Sequence, residues 1–213
     1  KKSWNDFVTN NDIPNLDTIE NLISKNIKQN LENFDGKKLC LALSGGVDST
    51  LILASIRKLF PDLEIEAISI KFANSVDETT IASKIAERYQ ANHHIIELEN
   101  YLSELPNAIS KVQLPFWDLH WYYVTKKSST ISNMLASGDG GDEIFSGYTF
   151  RYKKFLSLTN VNSSPIEKVK AYLSCHERDR VNDQESIFQN KSNFSWNSIY
   201  DHLLPYFDNS LSG

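Results

Sequence analysis

Lys38-Leu39-Cys40-Leu41-Ala42-Leu43-Ser44-Gly45-Gly46-Val47-Asp48-Ser49-Thr50-Leu51-Ile52-Leu53 carries the pattern that decides the fold. The apolar run Lys38–Leu43 reads as a buried strand, and Thr50–Leu59 reads as a helix. Between them lies SGGVDS, Ser44–Ser49. A strand, a tight glycine turn and a helix N-terminus together make an anion site, because the turn's N–H groups and the helix dipole converge. Gly45 and Gly46 are expected to take dihedrals barred to other residues and to let the backbone approach a ligand. Ser44 and Ser49 add hydroxyl donors. Asp48 would repel a phosphate, and fits only if a magnesium ion sits between the two. The GxxxxGK[ST] signature is missing, so this is not the common P-loop.

Working outward, Asp17-Thr18-Ile19-Glu20 reads as a capping box opening a helix with Ile19, Leu22, Ile23, Ile27 and Leu31 at helical spacing. Asp35-Gly36 stops it. After the turn at Pro61-Asp62, Leu63–Phe72 alternates apolar with polar and reads as a second strand. Ser75-Val76-Asp77-Glu78 opens a helix expected to bury Ile81, Ile85, Ala86 and Tyr89, and His93–Leu98 reads as a third strand. Tyr101–Val112 reads as helical despite Pro106, broken by Leu114-Pro115-Phe116, and Trp117–Lys127 as an aromatic-rich helix. Ile131–Ser137 is expected to be a fourth strand, Ile144–Leu156 a helix, and Pro165–Cys175 another. The alternation predicts an α/β fold: a doubly wound, mostly parallel sheet of about five strands with helices on both faces and right-handed crossovers. Ligands in such sheets bind beyond the carboxyl ends of the strands at a switch point. Three regions are expected: an arm and helix over 1–34, the core over 35–158, and a helical segment over 159–213.

The chain has 213 residues and 40% hydrophobic content, enough for one sizeable packed domain. A net charge of −5 and a pI near 5.6 argue against a general nucleic-acid binder. The 2 cysteines, Cys40 and Cys175, fall in a central strand and a late helix, so no disulfide is expected and a reducing, cytoplasmic setting fits. No apolar run is long enough to span a membrane.

A second glycine-rich acidic stretch, Ser137-Gly138-Asp139-Gly140-Gly141-Asp142-Glu143, follows the fourth expected strand. Its three acids exclude a phosphate cradle by itself, but paired with the first motif it can supply the far side of a magnesium–phosphate site. SGGVDS resembles the PP-loop of the ATP pyrophosphatases, which split ATP between the α- and β-phosphates. SGGVDSTLILASI followed by SGDGGDEIFSGYTFRY resembles the synthetase domain of the glutamine-dependent asparagine synthetase family, over roughly Asp35–Phe155. Asp77-Glu78, Ala82, Ala86 and His93-His94 also match it. NAD synthetases, GMP synthetases and tRNA-thiolating enzymes share the first motif but not the second.

The resemblance implies ATP and Mg2+ as ligands. It implies that the backbones of Ala42 and Ile70 hold adenine, and that Ser44, Gly45, Gly46, Asp48 and Ser49 hold pyrophosphate. It places Asp48 and Asp142 on magnesium, and Ser137 and Gly138 along the ribose and α-phosphate. Asp139 falls where the family carries an acid that matters for forming the acyl-adenylate, and Ser44 and Asp48 join it as catalytic candidates. The implied reaction activates a carboxylate, aspartate in the family, as an acyl-adenylate, releases pyrophosphate and forms an amide with ammonia. A β-lactam-forming synthetase and a nucleotide-binding module without catalysis stay open as alternatives. The family's N-terminal Cys nucleophile has no counterpart at Lys1, so a glutaminase domain or subunit outside this sequence, or free ammonia, is expected as nitrogen source. The family's late catalytic Lys finds only Lys168, Lys170 and Lys191, none in a recognisable pattern. His93-His94 is expected to be structural, Cys175-His176 lacks zinc partners, and Arg151, Lys153 and Lys154 read as a solvated face. Trp117, Trp121, Tyr122 and Tyr123 read as core and rim.

Overall fold

A computed structural model describes residues 15–72, 77–113, 119–176 and 196–208. The expectations for Lys1–Pro14, Ser75–Val76, Leu114–Trp117, Arg178 onward to 195, and with it Lys191, lie outside these residues. The chain forms two compact units, Lys1–Gly140 and Gly141–Gly213.

In the first unit, α1 spans Leu16–Leu31. Its N-cap is Asn15, whose side chain accepts from the Thr18 N–H at 2.8 Å, so the helix begins before the Asp17 box that the spacing suggested. Ile27 and Leu31 pack on the core, while Leu22 is exposed. Then come β1 (Lys38–Ala42), α2 (Val47–Leu59), β2 (Glu64–Phe72), α3 (Thr79–Arg88) and β3 (Asn92–Leu98). After a 3-10 turn at Tyr101–Glu104, α4 spans Leu105–Val112, with Pro106 in the first turn, where its missing N–H leaves no bond unmade. α5 spans His120–Ser128, and β4 is only Leu135–Ala136, not the longer strand expected from Ile131.

The sheet order is β3-β2-β1-β4, and every pairing is parallel. Leu41 sits between Ala67 of β2 and Ala136 of β4. Four strands stand among the described residues where about five were expected. Side chains alternate across the sheet as a pleated strand requires. Leu39, Leu41 and Leu43 pack with Leu53, Ile56, Ala82 and Ala86 under α2 and α3. Cys40 and Ile68 pack with Val124 under α5 on the opposite face. In α3, Thr79, Ala82 and Ala86 are buried and Ile81 is exposed, so the small residues, not Ile81, seat the helix. α2 is anchored at its far end by Arg57. Its guanidinium donates to the carbonyls of Tyr89, Pro61, Leu63 and Gln90 at 2.7–2.9 Å, tying α2 to the start of β2 and the end of α3.

The second unit is helical in its described residues. The helix expected over 144–156 is two: α6 (Gly141–Phe145) and α7 (Thr149–Leu158). They are separated where Ser146 takes a left-handed φ of 57° and Gly147 follows. A Cβ on Gly147 would fall 1.7 Å from Oδ1 of Asp142, so only glycine leaves that carboxylate its place. α8 (Pro165–Ser174) opens on a capping box in which Ser164 and Glu167 bond reciprocally. α9 (Trp196–Leu203) and α10 (Pro205–Asp208) follow, and Phe207 meets Phe155 and Tyr172 at ring-centroid distances of 6.3 and 5.8 Å. Cys40 and Cys175 are both free thiols.

β2 does not alternate in exposure. Ile65–Ser69 is continuously buried, because helices cover both faces of a parallel sheet. Glu66, 3% exposed, is the cost of that position. Lys38 Nζ bonds its Oε1 at 2.8 Å, and His94 Nε2 lies 2.5 Å from its Oε2. Burial pushes the Glu66 carboxyl up, but the bonds from Lys38, His94 and Asn92 outweigh it and bring the pKa down to about 2. A carboxyl lowered on folding stabilises the fold above its unfolded pKa, roughly 4.3, and loses that contribution as the pH falls towards 2. Melting temperature followed from pH 5 to 2 is therefore expected to fall in wild type by an amount worth about 2–3 kcal/mol. Glu66→Gln should show a lower starting value and a flatter acid limb.

Candidate functional site

The chain runs outward through β1, β2 and β3, then returns to lay β4 on the other edge of β1. The loops leaving β1 and β4 thus diverge from a single point, the position where open α/β sheets bind ligands. SGGVDS leaves β1 there, and Ser137-Gly138-Asp139 leaves β4 there. A cavity of about 360 Å3 occupies this end of the first unit. That volume is in the range of small-molecule sites.

The two loops touch through their backbones. A Cβ on Gly138 would lie 2.6 Å from the Ser49 nitrogen and 2.7 Å from the Asp48 carbonyl carbon. No side chain fits there, so Gly138 is what lets the second motif reach the first turn of α2. The sequence marked Gly138 as a candidate, but only the structure gives this reason.

The Ser44–Ser49 loop is tighter than the sequence indicated. α2 begins at Val47, inside the motif, with Gly46 as N-cap. Its first-turn N–H groups, which no helix can bond internally, thus belong to the loop. Neither Gly45 nor Gly46 has a positive φ, which corrects the expected use of forbidden dihedrals. Their lack of a side chain serves close packing instead. A Cβ on Gly45 would meet Ile81 at 3.3 Å, and one on Gly46 would meet Ser44 Oγ at 3.1 Å. Ser49 is buried, and its hydroxyl accepts from the Ser44 N–H at 3.1 Å and touches Ser44 Oγ at 3.0 Å. The Gly46 N–H donates to Ser44 Oγ at 3.1 Å. The serine hydroxyls brace the loop, and both residues line the cavity.

The cavity wall has two characters. Ser44, Asp48, Ser49, Ser137, Gly138 and Asp139 form a polar end. Ala42, Ile68, Ile70, Phe72 and Val124 form an apolar end. All of the first-unit candidates except Gly45 and Gly46 line it. His120, Trp121, Ser69, Glu78 and Thr79 line it too and were not read as site residues. Trp121 was assigned to core and rim, and its packing against the cluster of Cys40, Ile68 and Val124 agrees with that while leaving it on the wall. Asp77, at the start of α3, accepts from the Thr79 N–H and hydroxyl, and these bonds together with Lys71 hold its carboxyl below the usual range.

Asp142 belongs to the second unit, in the first turn of α6. A carboxylate on a half-buried wall, as at Asp48, suits a hard cation such as magnesium. Among the described residues no group of three or more His, Cys, Asp or Glu is disposed to hold a metal, so a cation at Asp48 needs the phosphates themselves as ligands. In the second unit, Tyr148 donates to Glu143 at 2.8 Å, and Arg151 stacks 4.6 Å over the Tyr148 ring, beside a separate cavity of about 370 Å3. Lys168 and Lys170, on α8, do not line that cavity. No helix of the described residues is long and apolar enough to cross a membrane.

The chain is 28% identical over 136 residues to asparagine synthetase [glutamine-hydrolyzing] 1 of Bacillus subtilis, covering 62% of this chain and 20% of that protein. It is 33% identical over 112 residues to the putative asparagine synthetase [glutamine-hydrolyzing] 2 of Methanocaldococcus jannaschii, covering 50% and 22%. It thus spans about a fifth of the length of these relatives. The NH3-dependent NAD synthetase of Campylobacter jejuni superposes with a TM-score of 0.48 at 12% identity, covering 92% of this chain and 96% of that one. The family model for asparagine synthase matches residues 19–208, nearly the whole chain, and the chain therefore belongs to the asparagine synthase family.

Proposed function

We propose that the chain binds ATP with magnesium and uses it to activate a carboxylate, aspartate in the first instance, for amide formation with ammonia. The observation that carries this reading is the backbone abutment of Gly138 on Ser49 and Asp48, which puts both glycine-acid motifs on one cavity. The base occupies the apolar end, beside Ala42 and Ile70, and the phosphates occupy the loop Ser44–Ser49.

The carboxylate oxygen attacks the α-phosphorus, the bond to the β-phosphate breaks, and pyrophosphate leaves into the Ser44–Ser49 loop. The nitrogen of ammonia then attacks the acyl carbon, AMP departs with the bonding electron pair, and the nitrogen sheds a proton. Two anions must meet in the first step, so positioning and charge neutralisation carry the catalysis. The first-turn N–H groups of α2 and the Ser44 hydroxyl receive the growing charge on the leaving phosphates. When bound, magnesium would be held by Asp48 together with the phosphates, with Asp142 the further ligand that the family resemblance implies, and it would supply positive charge to offset the loop's own acids. Ser137 and Gly138 line the ribose and α-phosphate, and Asp139 acts on the forming acyl-adenylate. Gly45 and Gly46 keep the backbone close to the pyrophosphate. Ammonia comes from solution or from a glutaminase domain or subunit, and the setting is cytoplasmic.

Substrate-dependent exchange of labelled pyrophosphate into ATP, run over a panel of carboxylic acids, tests the reaction. Exchange with aspartate is expected, and exchange only with another acid moves the substrate assignment. ATP binding with no exchange for any acid would leave a nucleotide-binding module. Asp48→Asn and Asp142→Asn should keep the melting temperature of the free protein. Each should lose most of the magnesium-dependent part of the shift given by ATP, a linkage of RT ln(1 + [L]/Kd). If both variants keep the full shift, the two aspartates do not share the metal. Gly138→Ala is expected to destabilise the first unit by about 1–3 kcal/mol through overpacking and to weaken ATP binding by at least ~10-fold. A variant with unchanged ATP affinity, read by calorimetry, would show that the loops need not touch.

A further inference from the structure

We propose that Ser69 and His93 are positioning residues that fix the orientation of the phosphate loop through the peptide joining Leu43 to Ser44. The inference rests on the ATP reading above. β1 ends at Ala42, so Leu43 lies where its neighbour β2 continues but the ladder between them runs out. The Leu43 N–H still bonds the Ile68 carbonyl at 2.9 Å. The Leu43 carbonyl is buried with its residue, and it takes its partner from a side chain: Ser69 Oγ donates to it at 2.6 Å. On the other side of the same peptide, the Ser44 N–H donates to Ser49 Oγ at 3.1 Å. The peptide plane is therefore held at both edges. A rotation that turned Ser44 towards or away from the cavity would break both bonds.

His93 sets the direction of this chain of bonds. A carbonyl only accepts, so the single proton of Ser69 is committed to Leu43. His93 Nε2, 2.8 Å from Ser69 Oγ, must then be the donor. In the neutral ring, Nδ1 is left as an acceptor, and Ser83 Oγ stands 2.9 Å from it. The proton order is Ser83 to His93, His93 to Ser69, Ser69 to Leu43, with every group satisfied by a neutral imidazole. Burial, followed by the neighbouring His94, holds the His93 pKa below its usual value and favours that neutral form. The chain links α3, β3 and β2 to the first residue of the motif. Ser69 also lines the cavity.

Calorimetric titration of the whole protein with ATP and with inorganic tripolyphosphate, each with magnesium, tests this. Ser69→Ala is expected to weaken both ligands by the same factor, about tenfold, because the loss falls on the phosphate end they share. Ser69→Thr, which keeps the hydroxyl, should restore most of it. His93→Phe should act in the same direction, and the double variant should lose no more than Ser69→Ala alone. Ser83→Ala, a milder change at a half-buried position, should give a smaller loss of the same pattern if the others fold poorly. Ile56→Val serves as control, lowering melting temperature in the same layer with unchanged affinities. Unchanged affinities in folded Ser69→Ala and Ser83→Ala, or equal losses in the control, would overturn the inference. Failure of the wild type to bind either ligand would instead overturn the nucleotide reading, and the inference with it.

Discussion

The contact on which the rest depends is a glycine pressed against a helix start. Gly138 approaches the Ser49 nitrogen and the Asp48 carbonyl carbon more closely than any side chain would permit. It can do so because β4 pairs with β1 on the edge opposite β2, so that two loops issue side by side. Sheet order therefore creates the crevice, and the missing Cβ lets the two loops pack backbone against backbone. The apolar layers under Leu39, Leu41, Cys40 and Ile68 hold β1 fixed between them, and the site takes its precision from that burial.

The sheet handles charge differently at its two ends. At the carboxyl end, Asp48 and Asp139 face a cavity together. At the amino end, Glu66 is buried but surrounded by Lys38, His94 and Asn92. The second arrangement is self-contained and serves the fold. The first places its two acids on the wall of an open cavity instead.

Much of this was legible in the residues. The run from Lys38 through Leu53 gave the strand, turn and helix because burial and glycine both leave clear marks there. The errors have separate physical causes. β4 shrinks to Leu135–Ala136 because pairing with β1, not apolar content, decides where a strand exists. β2 hides its alternation since a strand covered on both faces has no solvent side. The helix expected over 144–156 breaks at Ser146 and Gly147, where Asp142 claims the space of a Cβ, a demand that no periodicity expresses. Ser69, His120 and Trp121 escaped because nothing local marks a residue that reaches the cavity from another element. His93 was assigned a structural part, and its bonds to Ser69 and Ser83 are of that kind while leading to the motif.

Arg57 has a mechanical consequence. By gripping four carbonyls from two segments, it fastens the distal end of α2 to the two neighbours that flank it. A helix clamped at its foot has no freedom to pivot, so its upper turn stands as a fixed post. On the nucleotide reading, its first-turn amides are then aligned before any ligand arrives, and little ordering entropy is left to be lost on binding. Adaptation to different occupants falls to whatever surrounds the post, and the loop at its tip is spared.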